Sequence, residues 1–474
     1  MSAWPLIAHD RPDAVLAFRD GRPISAAQFL HDARSLAARL PDAQHVLNFC
    51  NDRYEFAVGL AASLLRAQRS VLPSTHTSEV IRQLRAFAPD VYCLTDDPAC
   101  PIELPQLQCR PPAALRSVAP LAAPIAAPLA TPLATMAALG PWQVPQIDEQ
   151  QLAAYVFTSG STGTPVPHPK SWGRLVQCVR RERSRLRPNE SAPAAILGTV
   201  PAQHMYGFES TVLLPLQSGS ALCADRPFFP ADIAAALSAL PPPRVLFSTP
   251  VHLRALLSAG LALPPLELIV SATAMLSDKL AREVESRYGA PLLEIYGSTE
   301  SGQIASRRSA LEQDWQLWPE VRLQLIDGRC WVQGGHVAQP TLLADVIEPV
   351  DEQRFLLRGR TADLVNIAGK RSSLAYLNHQ LHAIPGVVDG VFFVRDDAAA
   401  SLAGVTRLAA LVVAPELDAA AIILALRERI DPVFLPRPLL LVEQLPRNQT
   451  GKLPQHMLRS LAAQAAARQP HLFV

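Results

Sequence analysis

Four hydroxyl side chains and two glycines follow one another in Thr158-Ser159-Gly160-Ser161-Thr162-Gly163, immediately after the short apolar run "AAYVF". A strand that ends in such a run can curl so that successive backbone N–H groups point into one hollow, to which Ser159, Ser161 and Thr162 add hydroxyl donors. Phosphate is the natural occupant of a hollow lined by donors. A flexible Ser/Gly surface turn has the same composition, so this stretch alone leaves the two readings level. It is not the nucleoside-triphosphatase loop, because the G-x-x-x-x-G-K-[ST] pattern is absent and no lysine follows Gly163. The next lysine or arginine is Lys170, at the end of "PVPHPK".

A second Gly/hydroxyl turn closes an apolar run in "EIYGSTESG" (Glu294 to Gly302), and it carries Glu300, a hard oxygen ligand of the kind that Mg²⁺ on a nucleotide takes. "LLRGRTADLVNIAGKR" (Leu356 to Arg371) and "LPRNQTGKL" (Leu445 to Leu453) lie further along the chain. In this order the four stretches resemble the adenylate-forming superfamily of acyl- and aryl-CoA synthetases, nonribosomal peptide adenylation domains and beetle luciferases. The resemblance runs from "NDRYEFAVGLAASLLRA" to "TGKL", nearly the whole chain.

That resemblance implies roles for particular residues. Thr158, Ser159, Gly160, Ser161, Thr162 and Gly163 would steady the β- and γ-phosphates of ATP. Thr299 would touch the α-phosphate and Glu300 would bind Mg²⁺. Tyr296 and Gly297 would flank the nucleotide, and Ser271, Ala272, Thr273 and Ala274 would border its adenine through their backbone. Asp345, in "LLADVIEP", is placed like the carboxylate that grips the ribose hydroxyls, with Arg360 beside it. Lys452 stands where a mobile C-terminal lysine bridges the α-phosphate and the substrate carboxylate. A carboxylate attacking the α-phosphorus brings two negative groups together while charge builds on the departing pyrophosphate, so cations aimed there lower the barrier most.

"PAQHMYGFES" resembles the segment that starts a helix along the acid pocket; His204 and Tyr206 would line that pocket or the thiol tunnel, and Gly207 would admit close approach. For His204 a hydrogen-bonded packing role stands equally open. Phe247, Thr249, Gly297 and Ser298 complete the expected acid pocket. "RRERSRLR" (Arg180 to Arg187) reads as a solvated helical face or as a docking surface for an acidic carrier protein or CoA phosphates.

The chain also departs from the superfamily pattern. Val166 stands where a lysine commonly follows the loop proline, and Lys170 is the residue expected to replace it at the leaving pyrophosphate. Ala362 replaces the usual hinge residue, with Asp363 behind it; Asn366 and Lys370 are unusual around the hinge turn, and the customary Glu near Asn378 is absent. The compact length, "PVPHPKSW" and "GKRSSL" resemble the ligases of aryl polyene and xanthomonadin pigment pathways, which load 4-hydroxybenzoate-type acids onto an acyl carrier protein. The expected activity is therefore an acid–thiol ligase that uses ATP and Mg²⁺, with phosphopantetheine of a carrier protein or CoA as acceptor. A medium-chain or other acyl-CoA synthetase is one alternative, and a catalytically weak adenylate-binding scaffold is another. The acid, the acceptor and the oligomeric state stay open.

These residues need a scaffold that holds loops at strand ends. Short apolar runs ("QHVLNFC", "VYCLT", "AAILGTV", "PRVLFST", "LELIVSA") alternate with helix-length amphipathic ones, which predicts an α/β fold of mostly parallel sheets with covering helices. Within "PADIAAALSALPPP", Ile233, Leu237 and Leu240 share a helical face that Pro241 ends. From Pro319 short strands and the Asp327-Gly328 turn predict a β-rich subdomain. After Arg360 the "YLNHQLHAI" and "LDAAAIILALRERI" helices and the "TRLAALVVA" and "PLLLVEQL" strands predict a small mobile α+β domain, giving an expected division into residues 1–358 and 359–474.

The chain has 474 residues, 49% hydrophobic, so more than one core is expected. Its 43 Lys+Arg nearly cancel its 42 Asp+Glu, which speaks against nucleic acid as a main partner. Seven scattered cysteines without C-x-x-C spacing read as reduced thiols in a cytoplasmic protein. The N-terminus lacks the apolar core of a signal peptide, and the Ala/Pro stretch Pro111–Trp142 is broken too often by proline for a membrane helix, so it reads as a linker.

Overall fold

A computed structural model describes residues 2–73, 75–110, 142–159, 165–187, 192–360, 364–367, 370–394, 408–447, 453 and 455–468. The chain is α/β and divides into two units: residues 1–247, 261–268 and 298–303 form one, and residues 248–260, 269–297 and 304–474 the other.

In the first unit, apolar runs buried on both faces become parallel strands. Tyr92–Thr95 and Ala195–Gly198 are buried along their whole length, as strands covered by helices on both sides must be. One six-stranded sheet has the order Pro165–Ser171, Leu152–Ser159, Arg69–Leu72, His45–Asn48, Tyr92–Thr95, Gln106–Gln108. Its pairings are parallel except the first, where Pro165–Ser171 runs antiparallel to Leu152–Ser159. Leu47, Val71, Ile81, Leu84, Cys93 and Phe157 pack into one core beside this sheet. The strands Arg244–Ser248, Ala195–Gly198, Ala221–Cys223 and Val15–Arg19 lie parallel in succession, and the last folds back on Arg22–Ser25 as a hairpin.

The helix Arg53–Leu65 is buried almost from end to end, and Asp52 caps it by accepting from the Glu55 N–H. Pro230–Ala239 is helical with Ile233 and Leu237 in the core and Leu240 buried at its end, as the sequence pattern requires.

"PVPHPKS", which carries the Lys170 expected to stand in for the loop lysine, is a strand. Prolines at 165, 167 and 169 all turn the same way in an antiparallel strand. Because proline has no N–H, that side can only be the outer edge of the sheet. Val166, His168 and Lys170 are left to face the neighbouring strand with their N–H groups, opposite Thr158, Val156 and Ala154.

The second unit is mixed. Leu268–Ser271 lies parallel to Leu292–Ser298, and Trp315–Leu317, Arg354–Arg360 and Asp345–Pro349 are antiparallel neighbours. Arg322–Ile326, Arg329–Gly334 and Val337–Leu342 form a three-stranded antiparallel sheet. Its first turn is Asp327-Gly328 with φ of 50° and 72°, the left-handed pair that a two-residue hairpin demands. Beyond residue 364, Val365, Leu377, Leu381, Phe392, Ile422 and Leu439 close a core of their own. Among the described residues no helix is long and apolar enough to cross a membrane.

Candidate functional site

Within the first unit, the strand end at Thr158 and the distant turn at Glu300 are linked through the strand Pro165–Ser171. Thr158, the last described loop residue with a placed side chain, has its Oγ1 2.9 Å from His168 Nε2. His168 Nε2 is in turn 3.6 Å from Glu300 Oε1, and Lys170 Nζ donates to the Glu300 backbone carbonyl at 3.0 Å. Ser298 and Ser301 tie the Glu300 turn into a tight knot: each backbone N–H donates to the other's hydroxyl, at 3.3 and 3.1 Å. Thr299 is half-buried in this turn and Glu300 is exposed. Gly160, Ser161, Thr162 and Gly163 lie outside the described residues, as does the side chain of Ser159. Val166 is 45% exposed at the rim.

Beneath Lys170 lies a buried polar layer. Cys178 Sγ donates to Glu209 Oε1 at 3.2 Å, Ser210 Oγ donates to Glu182 Oε1 at 2.6 Å, and Gln303 Nε2 donates to Ser210 Oγ at 2.8 Å. Burial pushes the Glu182 carboxyl up to about 8, and it pushes the Glu209 carboxyl up to about 7 against the pull of Lys170. Burial also lowers the Lys170 ammonium, while the charges of Glu209, Cys178 and Glu300 support it.

A stability prediction follows from Glu182. Its folded pKa is raised above that of the unfolded chain, so the stability it contributes is complete below the unfolded value and is lost as pH climbs through about 8. Relative to Glu182→Gln, the wild type is therefore expected to lose on the order of a few kcal/mol between about pH 5 and pH 8. Urea unfolding of both proteins across that range tests this, and parallel curves would refute it.

Pro201–Gly207, the segment expected to line the acid pocket, is shaped from behind by Arg53. This fully buried guanidinium donates to the carbonyls of Gly198 and Val200 at 2.9 Å each, of Cys223 at 3.1 Å and of Asp225 at 2.6 Å. It thereby sets the end of the Ala195–Gly198 strand, which leads into Pro201–Gly207. Tyr206 is buried with its ring 6.2 Å from that of the buried Phe247, and His204 is half-buried ahead of Met205–Gly207. Gly207 admits close approach, but of its own chain: a Cβ there would stand 2.0 Å from the Pro201 carbonyl oxygen. Arg53 was missed by sequence reasoning because an arginine at a helix start normally reads as solvated.

The basic stretch is not a free face. Arg187 is buried and grips the Glu267 carboxylate through Nε and through Nη2 at 2.9 Å, and Arg180 lies 4.5 Å over the Trp4 ring.

In the second unit, Tyr296 Oη donates to Asp345 Oδ2 at 2.6 Å, and the Tyr296 ring meets Phe355 edge-on at 5.6 Å. Asp345 pairs with Arg360 across two antiparallel strands, although the Arg360 side chain lies outside the described residues. Ser271 and Ala272 are buried at a strand end, Ala274 is half-buried, and Thr273 sits at φ 78°, a strained value for a β-branched residue. Gly297 is exposed. Thr249 is fully buried with its Oγ1 2.9 Å from His252 Nδ1.

Lys452 and Ala362 lie outside the described residues, yet both flanks of Lys452 are anchored. Leu445 and Leu453 belong to one apolar cluster with Val391, Leu411 and Leu440. Arg447 grips Asp389 at 2.9 and 2.8 Å. Burial pushes the Asp389 carboxyl up, but His382, Arg447 and Arg254 outweigh it and hold it well below the usual carboxylate range.

No cluster of three or more His, Cys, Asp or Glu able to hold a metal exists among the described residues. Glu300 alone suits an ion that takes one carboxylate and fills its remaining positions with phosphate oxygens and water, as Mg²⁺ does.

A family model described as AMP-binding enzyme matches residues 7–329. The chain is 35% identical over 241 residues to a 4-coumarate–CoA ligase of Rhodobacter capsulatus, covering 50% of this chain and 59% of that protein's length. It is 23% identical over 373 residues to a 3-hydroxybenzoate–CoA/4-hydroxybenzoate–CoA ligase of Thauera aromatica, covering 67% of each. Its fold is similar to that of o-succinylbenzoate CoA synthetase from Bacillus subtilis in complex with AMP, with a TM-score of 0.76, 15% identity and coverage of 97% and 98% of the two chains. The same synthetase solved with ATP and a magnesium ion gives a TM-score of 0.74 at 16% identity, covering 95% and 97%.

Proposed function

The chain belongs to the AMP-binding enzyme family, and from that premise we propose that it is an ATP-dependent acid–thiol ligase acting on an aromatic, 4-hydroxybenzoate-like carboxylic acid. The acid's carboxylate attacks the α-phosphorus of ATP, the bond to the β-phosphate oxygen breaks, and an acyl-adenylate and pyrophosphate form. A thiol then attacks the acyl carbon, giving a thioester and AMP. The thiol is the phosphopantetheine of an acyl carrier protein or that of CoA, and the setting is the cytoplasm.

One observation supports this reading above the others: the strand end at Thr158, where the first Gly/hydroxyl run begins, is tied through His168 and Lys170 to the Glu300 turn 130 or more residues away. A lone surface turn has no need of such a tie. The aryl-CoA ligases among the relatives support an aromatic acid. Mg²⁺ would be held by Glu300 and would neutralise phosphate charge. Thr158 and the loop behind it would orient the β- and γ-phosphates, Asp345 and Arg360 the ribose, and Lys452 the two reacting groups. Residues 1–358 would bind ATP and acid, while residues 359–474, with their separate core, would carry Lys452.

Acid-dependent exchange of labelled pyrophosphate into ATP, run over aryl and alkyl acids of graded length, tests the first half-reaction. Exchange is expected with hydroxylated aryl acids; ATP binding without exchange for any acid would favour a scaffold. Thioester yield with CoA against a phosphopantetheinylated carrier protein then decides the acceptor. Glu300→Gln is expected to raise the Mg²⁺ concentration for half-maximal exchange about tenfold, because a neutral amide is a poorer Mg²⁺ ligand than a carboxylate. An unchanged midpoint would remove Glu300 from the metal.

A further inference from the structure

We infer that His168 is the positioning residue that joins the phosphate loop to Glu300, in the place where this chain has no loop lysine. The inference rests on the proposed ATP chemistry and adds to it a residue outside the four motifs. It begins with the strand Pro165–Ser171, whose alternating prolines present Val166, His168 and Lys170 in one register against Leu152–Ser159.

Each of the three can be asked to serve the anion. Val166 has no polar group. Lys170 donates its ammonium to the Glu300 backbone carbonyl, 3.0 Å away, so it braces the Glu300 turn and does not reach Thr158 in the way His168 does. His168 alone of the three faces both halves of the site, with Nε2 2.9 Å from Thr158 Oγ1 and 3.6 Å from Glu300 Oε1. Its side chain is 20% exposed, so the ring is held by its surroundings rather than free in solvent.

The chemistry of the contact gives the role. When His168 Nε2–H donates to Thr158 Oγ1, the threonine hydroxyl is satisfied as an acceptor and its own hydrogen is left to point at an anion. The same N–H edge draws the Glu300 carboxylate toward the loop. One ring thus sets the direction of a phosphate donor and the place of a metal ligand. It acts through both and touches neither phosphate nor metal itself.

The test is equilibrium binding of ATP by calorimetry, with Mg²⁺ varied, for wild type, His168→Ala, His168→Gln and Thr158→Val, alongside melting temperatures. Binding of ATP with Mg²⁺ to the wild type checks the proposed function separately. His168→Ala is expected to weaken ATP binding about tenfold, the effect of losing one well-placed hydrogen bond, and to raise the Mg²⁺ midpoint with little change in melting temperature. His168→Gln, whose amide N–H can reach the position of Nε2, is expected to recover most of the loss. Thr158→Val, which keeps the volume and loses the hydroxyl, should match His168→Ala, and the double variant should be no worse than either single one. If His168→Ala does not fold, Thr158→Val with His168→Gln decides. Wild-type-like binding in His168→Ala or Thr158→Val overturns the inference, as does a His168→Gln variant no better than alanine. Fully additive losses in the double variant overturn it as well.

Discussion

Replacing Lys452 with alanine is expected to slow acyl-adenylate formation about 10²- to 10³-fold, the size of effect seen when one preorganised charge donor is removed from a transition state. Adenylation is the step in which the negative carboxylate and the α-phosphate must be held together, and a lysine between them offsets repulsion that nothing else in the ground state requires it to offset. The described flanks fit a residue that must be presented accurately. Leu445 and Leu453 are set in one apolar cluster, and Arg447 is clamped on Asp389, so the short stretch between has both ends fixed. Thioester formation from a supplied acyl-adenylate should suffer far less, because that step moves no charge onto pyrophosphate. Measuring both half-reactions on the same variant separates the outcomes: an equal loss in the two would show that Lys452 serves folding or general binding instead.

Arg53→Met is expected to cost on the order of 3–5 kcal/mol of stability, because several buried backbone carbonyls lose their donor at once. The side chain is 1% exposed, and its two terminal nitrogens donate to four backbone carbonyls, those of Cys223, Gly198 and Val200 in buried hydrogen bonds. Methionine fills much of the volume but leaves those oxygens without donors, and each unpaired buried acceptor carries its own penalty of about 1–3 kcal/mol. Against a total stability of about 5–15 kcal/mol for a typical domain, this is a large share. Arg53→Lys should recover little, since one compact ammonium cannot fork to carbonyls on two sides. Urea midpoints for the three proteins test this, and a methionine variant within about 1 kcal/mol of wild type would show that the carbonyls find other partners. Because Gly198 and Val200 lead into Pro201–Gly207, the segment proposed to line the acid pocket, the lysine variant is expected to lose more affinity for the acid than for ATP.

Much of this protein can be read from its residue order because the physics involved is local. A run such as "VYCLT", with no polar face, can only be a strand covered on both sides, and Tyr92–Thr95 is one. Asp327-Gly328 between alternating residues can only be a tight turn, since both positions must take positive φ. The Gly/hydroxyl runs at Thr158 and Tyr296–Gly302 show a concentration of donors that suits an anion, and it is their order with the later motifs, not either run alone, that points to a nucleotide. Even the edge strand at Pro165–Ser171 was open to such reading: three prolines spaced by two leave one side of a strand without N–H groups, which is the mark of a sheet edge.

Only the tertiary structure decides which way a side chain turns and what it meets. Lys170 looks in sequence like the free cation of the phosphate loop, yet its ammonium goes to the Glu300 carbonyl over the buried Glu209. His168, an unremarked residue between two prolines, meets both Thr158 and Glu300. Glu182, Arg187 and Arg53 look like surface charges and are buried. Spacing along the chain specifies periodicity, and therefore strands, helices and turns. The fate of a charge depends on the dielectric around it and on partners up to 172 residues away, and those exist only once the chain has folded.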